Sequence, residues 1–233
     1  MEMDDNVLSQ ENTNNAAARK FMTKVYGWMT AALIITAVSA WLPMIFEPFN
    51  RLIFGNPYMF FVLIIAELAL VFILSRSIHK LAPLTATLFF ILYSVINGLT
   101  LSTIFITYKI SSIYLVFFIT AGMFFGMTIY GIFTKRDLSS AGRYLMMGLI
   151  GIIIASLVNF FLRSQPLDWL ISVIGVGIFV GLTAYDTQKI LKTAHFSDDS
   201  DTYKKIAIIG ALELYLDFIN LFLKLLRLFG KRK

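Results

Sequence analysis

Leu214-Tyr215-Leu216-Asp217-Phe218-Ile219-Asn220 lies inside the last apolar stretch of the chain, about residues 206–229. That stretch is long enough to cross a bilayer, since ~20 helical residues span ~30 Å of hydrocarbon. It nevertheless carries Glu213, Asp217, Lys224 and Arg227. A charged side chain at membrane depth costs roughly 2.5 kcal/mol or more on insertion scales. A spanning helix with four such residues is expected to keep most of its surface away from lipid. The sequence therefore reads as an all-α polytopic membrane protein with this helix at the centre and other helices wrapped around it.

Working back from there, six more apolar segments appear, at about residues 26–46, 57–75, 84–108, 110–134, 144–162 and 169–190. Together they give seven transmembrane helices, six around the C-terminal one. The chain is 58% hydrophobic and 15% charged over 233 residues. Such a composition excludes an ordinary soluble domain and leaves no room for a large extramembrane one. The net charge is +6, but the basic residues cluster between apolar segments. That pattern sets orientation in a membrane and gives no basis for a nucleic-acid partner. With no cysteine, disulfides, thiolate zinc sites and cysteine nucleophiles are excluded. Residues 1–20 are polar and lack the pattern of a signal peptide. They are expected to form a disordered tail before a single seven-helix domain over residues 21–233.

Orientation follows from counting Lys and Arg. With the N-terminus in the cytoplasm, the inside segments hold Arg19, Lys20, Lys24, Arg76, Lys80, Lys135, Arg136, Arg143, Lys189, Lys192, Lys204 and Lys205. The outside loops hold Arg51, Lys109 and Arg163. Twelve against three favours the N-terminus inside. The late group Lys224, Arg227, Lys231, Arg232 and Lys233 runs against this count. Either that tail is an exception, or the seventh segment re-enters the membrane and returns to the cytoplasm. Seven true spans is the favoured reading.

Asp186, in Gly181-Leu182-Thr183-Ala184-Tyr185-Asp186, joins Asp217 as a carboxyl in a spanning helix. Two such groups on different helices can share a proton, bind a cation or catalyse. In contact, they cannot both ionise cheaply, so they titrate as a unit and can sense pH. The plainer reading is that each is satisfied separately by hydroxyls or bases. They meet only if the seventh helix starts in the cytoplasm, before the bilayer. Glu213, one turn before Asp217, extends an acidic lining or pairs with an arginine. Glu67, in the second segment, is a third acid at membrane depth, for cation entry or a structural ion pair. Arg76 closes that segment, either snorkelling to the interface or acting as a latch on one of the aspartates. In the sixth segment, Gly177-Ile178-Phe179-Val180-Gly181 lets helix backbones approach closely, within one chain or between two. His79 and His195 read as solvated loop residues. Asp198, Asp199 and Asp201 make an acidic loop without the Gly and terminal Glu of an EF-hand.

The stretches Phe133-Thr134-Lys135-Arg136-Asp137-Leu138-Ser139-Ser140, Ala184-Tyr185-Asp186, Leu214-Tyr215-Leu216-Asp217-Phe218-Ile219-Asn220-Leu221-Phe222, Asn97-Gly98-Leu99-Thr100 and Leu225-Leu226-Arg227, taken together, resemble the Bax inhibitor-1 family in its bacterial branch. The resemblance covers nearly everything from Tyr26 onward. It implies seven helices, six around the last. It also implies a pH-sensitive calcium leak with an aspartate pair as sensor, matched here by Asp186 and Asp217. Glu67 matches a family acid placed toward the cation pathway, and Arg76 is the candidate for the family's latch arginine. Glu213 departs from the uncharged residue expected at its position. The family is further implied to suppress cell death in eukaryotes and to interact with membrane proteases in some bacteria.

Three functional readings follow. The first is a passive, pH-gated cation leak in the bacterial inner membrane, with a eukaryotic internal membrane as the alternative location. Calcium is the expected ion, because carboxylates are the hard oxygen ligands it prefers, and no cofactor is expected beyond it. The second is a non-conducting regulator that binds another membrane protein or protease. The third is an aspartyl intramembrane protease. Tyr185-Asp186 resembles half of that signature, but Leu214-Tyr215-Leu216-Asp217 stands where Gly-x-Gly-Asp belongs and no Pro-Ala-Leu follows.

Overall fold

Seven helices long and apolar enough to cross a membrane occur among the described residues: Ala16–Ile45, Met59–Ser77, Pro83–Thr107, Ile110–Phe133, Ser139–Leu162, Gln165–Ala194 and Asp201–Phe229. The structure is a computed structural model. It describes residues 2–56, 58–77, 80–194 and 201–233, with side chains from Ala16 onward. His79, His195, Asp198 and Asp199 lie outside the described residues. In chain order the helices are α1 (Glu2–Ile45), α2 (Glu47–Phe54), α3 (Met59–Ser77), α4 (Pro83–Leu101), α5 (Thr103–Thr107), α6 (Ile110–Phe133), α7 (Ser139–Leu162), α8 (Gln165–Ala194) and α9 (Asp201–Phe229).

The spans differ sharply in what they bury. In the most apolar part of α9, 67% of residues are buried, against 6% for α7. Leu157, Phe160, Phe161 and Leu162 of α7 are all exposed, which suits a helix whose solvent is lipid. The most charged of the seven segments is thus the most enclosed, as the cost of charge in hydrocarbon requires.

The structure departs from the sequence reading in several places. α1 begins at Glu2, so the polar opening expected as a tail is helical. Extending an existing helix adds one hydrogen bond per residue without a new nucleation step. A short helix, α2, occupies the connection after α1. Its Arg51 and Glu47 pair at 2.5 Å one turn apart, both exposed. The third span is broken at Ser102 between α4 and α5. There Ser102 Oγ donates to Leu99 O at 2.5 Å and Thr103 Oγ1 donates to Thr100 O at 3.0 Å. Hydroxyls that bond back to the preceding turn compete with the helical ladder and bend it. α9 is one uninterrupted helix of 29 residues, ~43 Å at 1.5 Å per residue. It crosses rather than re-enters.

The residues group into two compact units. One holds Met1–Thr103 with Ile190–Leu212, the other Ile104–Lys189 with Glu213–Lys233. In the first unit, α1 and α4 pack at backbone distance. Thr36 Oγ1 donates to Ser94 O at 3.0 Å in a buried bond. A Cβ on Gly98 would lie 2.4 Å from Thr36 O, so only glycine admits this approach. Phe21 packs edge-on to Tyr203, with ring centroids 5.0 Å apart. The second unit has an apolar core that includes Val116, Ile152, Ile178, Leu182, Leu221 and Leu225. Phe117 and Phe124 of α6 each pack edge-on to Phe218 of α9, with centroids 5.5 Å apart. This fixes the rotation of α9 next to Asp217.

Candidate functional site

The site in the second unit is built from two helical faces. α8 contributes Asp186 and Lys189, three residues apart. α9 contributes Glu213 and Asp217, four residues apart. Both spacings put the pair on one face. α9 starts at Asp201, ahead of its apolar part, so it meets the condition under which the two aspartates can come together. Their carboxyls are close enough to act on each other directly. Neither oxygen can donate unless it carries a proton, so this contact is a hydrogen bond only when at least one of the two carboxyls is protonated. Asp217 is buried, and its Oδ2 has no donor aimed at it among the described residues.

Glu213 does not face an empty path. Lys189 Nζ lies 2.6 Å from Glu213 Oε1, and its charge is also felt by Asp186. Three carboxyls and one ammonium thus share the site. The sequence reading placed Lys189 among the cytoplasmic positive charges and missed this pairing. Its signal was present: Lys189 lies one helical turn after Asp186. Among the described residues no group of three or more His, Cys, Asp or Glu side chains is arranged to hold a metal ion.

Backbone contacts hold α8 where the pair needs it. A Cβ on Gly131 of α6 would sit 2.5 Å from Ala184 O, so the two backbones touch two residues before Asp186. Gln188, also missed in the sequence reading, reaches the turn before α7. Its Oε1 accepts from Leu138 N at 2.9 Å, and its Nε2 donates to Arg136 O at 2.9 Å. Asp137 Oδ1 accepts from Ser139 N and Oγ in the same turn. The Lys135-Arg136-Asp137-Leu138-Ser139 motif therefore serves as an anchor for the end of α8. In the glycine pair, Gly181 meets Leu145 within the chain, whereas nothing lies within 4 Å of where a Gly177 Cβ would be.

Glu67 belongs to the first unit. Asn97 Nδ2 donates to its Oε2 at 3.3 Å, and the Thr100 hydroxyl, which donates to Ile96 O at 3.2 Å, lies nearby. Glu67 Oε1 is buried with no partner among the described residues. Asn97-Gly98-Leu99-Thr100 is thereby explained. Gly98 brings α4 onto α1, while Asn97 serves the acid on α3. Arg76 is exposed in the last turn of α3, with its guanidinium 5.8 Å from the centre of the Phe72 ring. It forms no salt bridge among the described residues.

The basic C-terminal tail is docked. Lys109 N donates to Lys231 O at 2.9 Å, Lys233 N to Thr107 O at 3.1 Å, and Lys231 N to Ser112 Oγ at 2.9 Å. It lies against the turn between the third and fourth spans, on the side that seven crossings demand.

These features define a seven-span helical membrane protein with a carboxyl pair enclosed between two of its spans. The chain belongs to the Bax inhibitor-1 family, described as "Inhibitor of apoptosis-promoting Bax1", whose profile matches residues 18–233. Among its relatives, the "Inner membrane protein YbhL" of Escherichia coli is 52% identical over 220 residues, covering 94% of each chain. An uncharacterized protein of Borreliella burgdorferi is 47% identical over 227 residues, covering 97% of this chain and 98% of the relative. An uncharacterized protein of Deinococcus radiodurans is 37% identical over 225 residues, covering 97% and 96%.

Proposed function

We propose that this protein is a passive, pH-sensitive cation leak of the bacterial inner membrane, with calcium as the transported ion and the Asp186–Asp217 pair as its sensor. The observation that carries this reading is the contact between two carboxyls, one of them buried, on different spans. One proton makes the contact attractive. Losing it leaves two like charges side by side in a low-dielectric site. Proton occupancy therefore changes the force between α8 and α9. Glu67, with one unpartnered oxygen, is the acid available to a passing cation. Family membership and a relative named for the inner membrane support the location.

The Lys189–Glu213 pair favours a second reading, a non-conducting regulator. A resident ammonium already occupies the position that a cation would take on Glu213. Calcium flux into liposomes containing the purified chain and a trapped dye separates the two. The leak predicts ATP-independent entry down the gradient, with a rate that varies with pH. Folded protein that passes no calcium at any pH would replace the leak with the regulator.

A further inference from the structure

At the end of the second unit where the tail docks, a cavity of about 440 Å³ is lined by Ser156, Asn159, Arg163, Asp168, Arg227 and Arg232, among others. Its size falls within the ~300–1,000 Å³ of small-molecule sites. Three guanidinium groups against one carboxylate give a formal charge of +2. Arg227 Nε is 2.5 Å from Asp168 Oδ2, a bond that leaves the two terminal amino groups of Arg227 outside it. Among the described residues neither Arg163 nor Arg232 forms an ion pair. We propose that this cavity binds the phosphate-bearing headgroup of an anionic phospholipid.

The arginines are held in place from separate elements. Arg163 ends α7 with a left-handed backbone, φ 51°, where glycine would cost less. Its amide donates to Asn159 O at 2.7 Å, and Ser164 N donates to Asn159 Oδ1 at 3.0 Å. Arg227 projects from the last turns of α9. Arg232 is fixed by the antiparallel bridge it forms with Tyr108. Planar guanidinium forks match phosphate oxygens two bonds at a time.

The surroundings select a lipid over a soluble anion. Phe160 lines the cavity and is exposed. Phe161 and Leu162, next in sequence, and Trp169, which follows Asp168 of the cavity, are exposed as well. Tryptophan rings sit at the headgroup level of a bilayer, and guanidinium groups at that level pair with the phosphate of an acidic headgroup. Acyl chains would lie along the exposed face of α7 while the phosphate enters among the arginines. The site also accounts for basic residues on a side where the charge count disfavours them.

Trp169 adjoins Asp168 and reports on the site. In the full-length Trp28→Phe, Trp41→Phe background it is the only tryptophan left. The protein is reconstituted with phosphatidylcholine and titrated with acyl-brominated phosphatidylglycerol or acyl-brominated phosphatidylcholine. Quenching is expected to show about tenfold preference for the anionic lipid. Arg163→Gln with Arg232→Gln should remove most of that preference, since it leaves the Arg227–Asp168 pair intact. Lys109→Gln with Lys231→Gln removes as much charge at the same end and should leave the preference in place. Equal quenching by both lipids, or equal loss in the two double variants, would overturn the site in favour of general surface potential. Displacement of the brominated lipid by inorganic phosphate, at constant ionic strength, would overturn the lipid assignment and leave a soluble phosphate as the ligand.

Discussion

Two acids at membrane depth are handled in opposite ways in the two units. Glu67 is met by a neutral donor, the Asn97 amide at 3.3 Å, and keeps one oxygen unpartnered. Asp217 is met by another carboxyl. Neutral donors stabilise a carboxylate without fixing its proton count, so such a group can serve an arriving cation. A second carboxyl makes the proton count itself the variable. The neighbour of a buried acid, more than its depth, decides what the acid can do.

The largest effect that can break this comparison is expected at the pair. Asp217→Asn keeps the shape and removes one titrating group. In liposomes the proposed calcium leak should lose nearly all of its dependence on pH. Asp186→Asn should do the same, and the double variant should add little, because partners acting as a unit are not additive. A pH profile that survives Asp217→Asn would mean that the contact is structural only.

A smaller effect is expected at Glu67. Glu67→Gln should lower flux severalfold at every pH while leaving the shape of the profile unchanged. Flux assays across pH on both variants test whether path and sensor are separate. If Glu67→Gln also flattens the profile, the two acids belong to one titrating system.

Packing glycines sharpen the comparison at the level of stability. Gly98→Ala drives a Cβ to 2.4 Å from Thr36 O in the first unit, and Gly131→Ala drives one to 2.5 Å from Ala184 O in the second. Each should cost about 1–3 kcal/mol, read from thermal unfolding in detergent. Gly177→Ala meets nothing within 4 Å and should stay within about 1 kcal/mol of the unaltered protein. Comparable losses at all three positions would point to helix flexibility, not close approach, as what the glycines supply.

The smallest effect is expected at Arg76. Its guanidinium lies over Phe72 on its own helix, and an exposed arginine at a helix end tends toward the interface. Arg76→Ala should change basal calcium flux only slightly. A marked rise in basal leak from folded protein would establish the latch instead.

The seven spans were legible in the sequence, and their observed ends lie close to those expected at most boundaries. The larger shifts are at the polar ends of α1, α7 and α9, where helix continues beyond the apolar residues. Asp186 and Asp217 were legible as a pair because charged residues inside apolar runs are rare and conspicuous. Gln188 was not, since a polar residue at the end of a span has many ordinary uses. The break at Ser102 was also hidden. Its cause is hydroxyls bonding to the preceding turn, and serine or threonine in a spanning helix more often does so without breaking it.

The sequence by itself determined that this protein crosses the membrane seven times and that its last span must be sheltered. Both follow from composition along a single segment, where lipid imposes a fixed length and a fixed penalty on charge. Only the tertiary structure decided that Lys189 sits on Glu213, that Asn97 serves Glu67, and that the tail docks on the turn after the third span. These depend on helix rotation and axial offset, and each residue turns a helix by 100° and advances it 1.5 Å. Between helices in lipid there is no hydrophobic preference to set that register. Glycine contacts, hydroxyls and a few paired charges set it instead, and those partners meet only once the chain has folded.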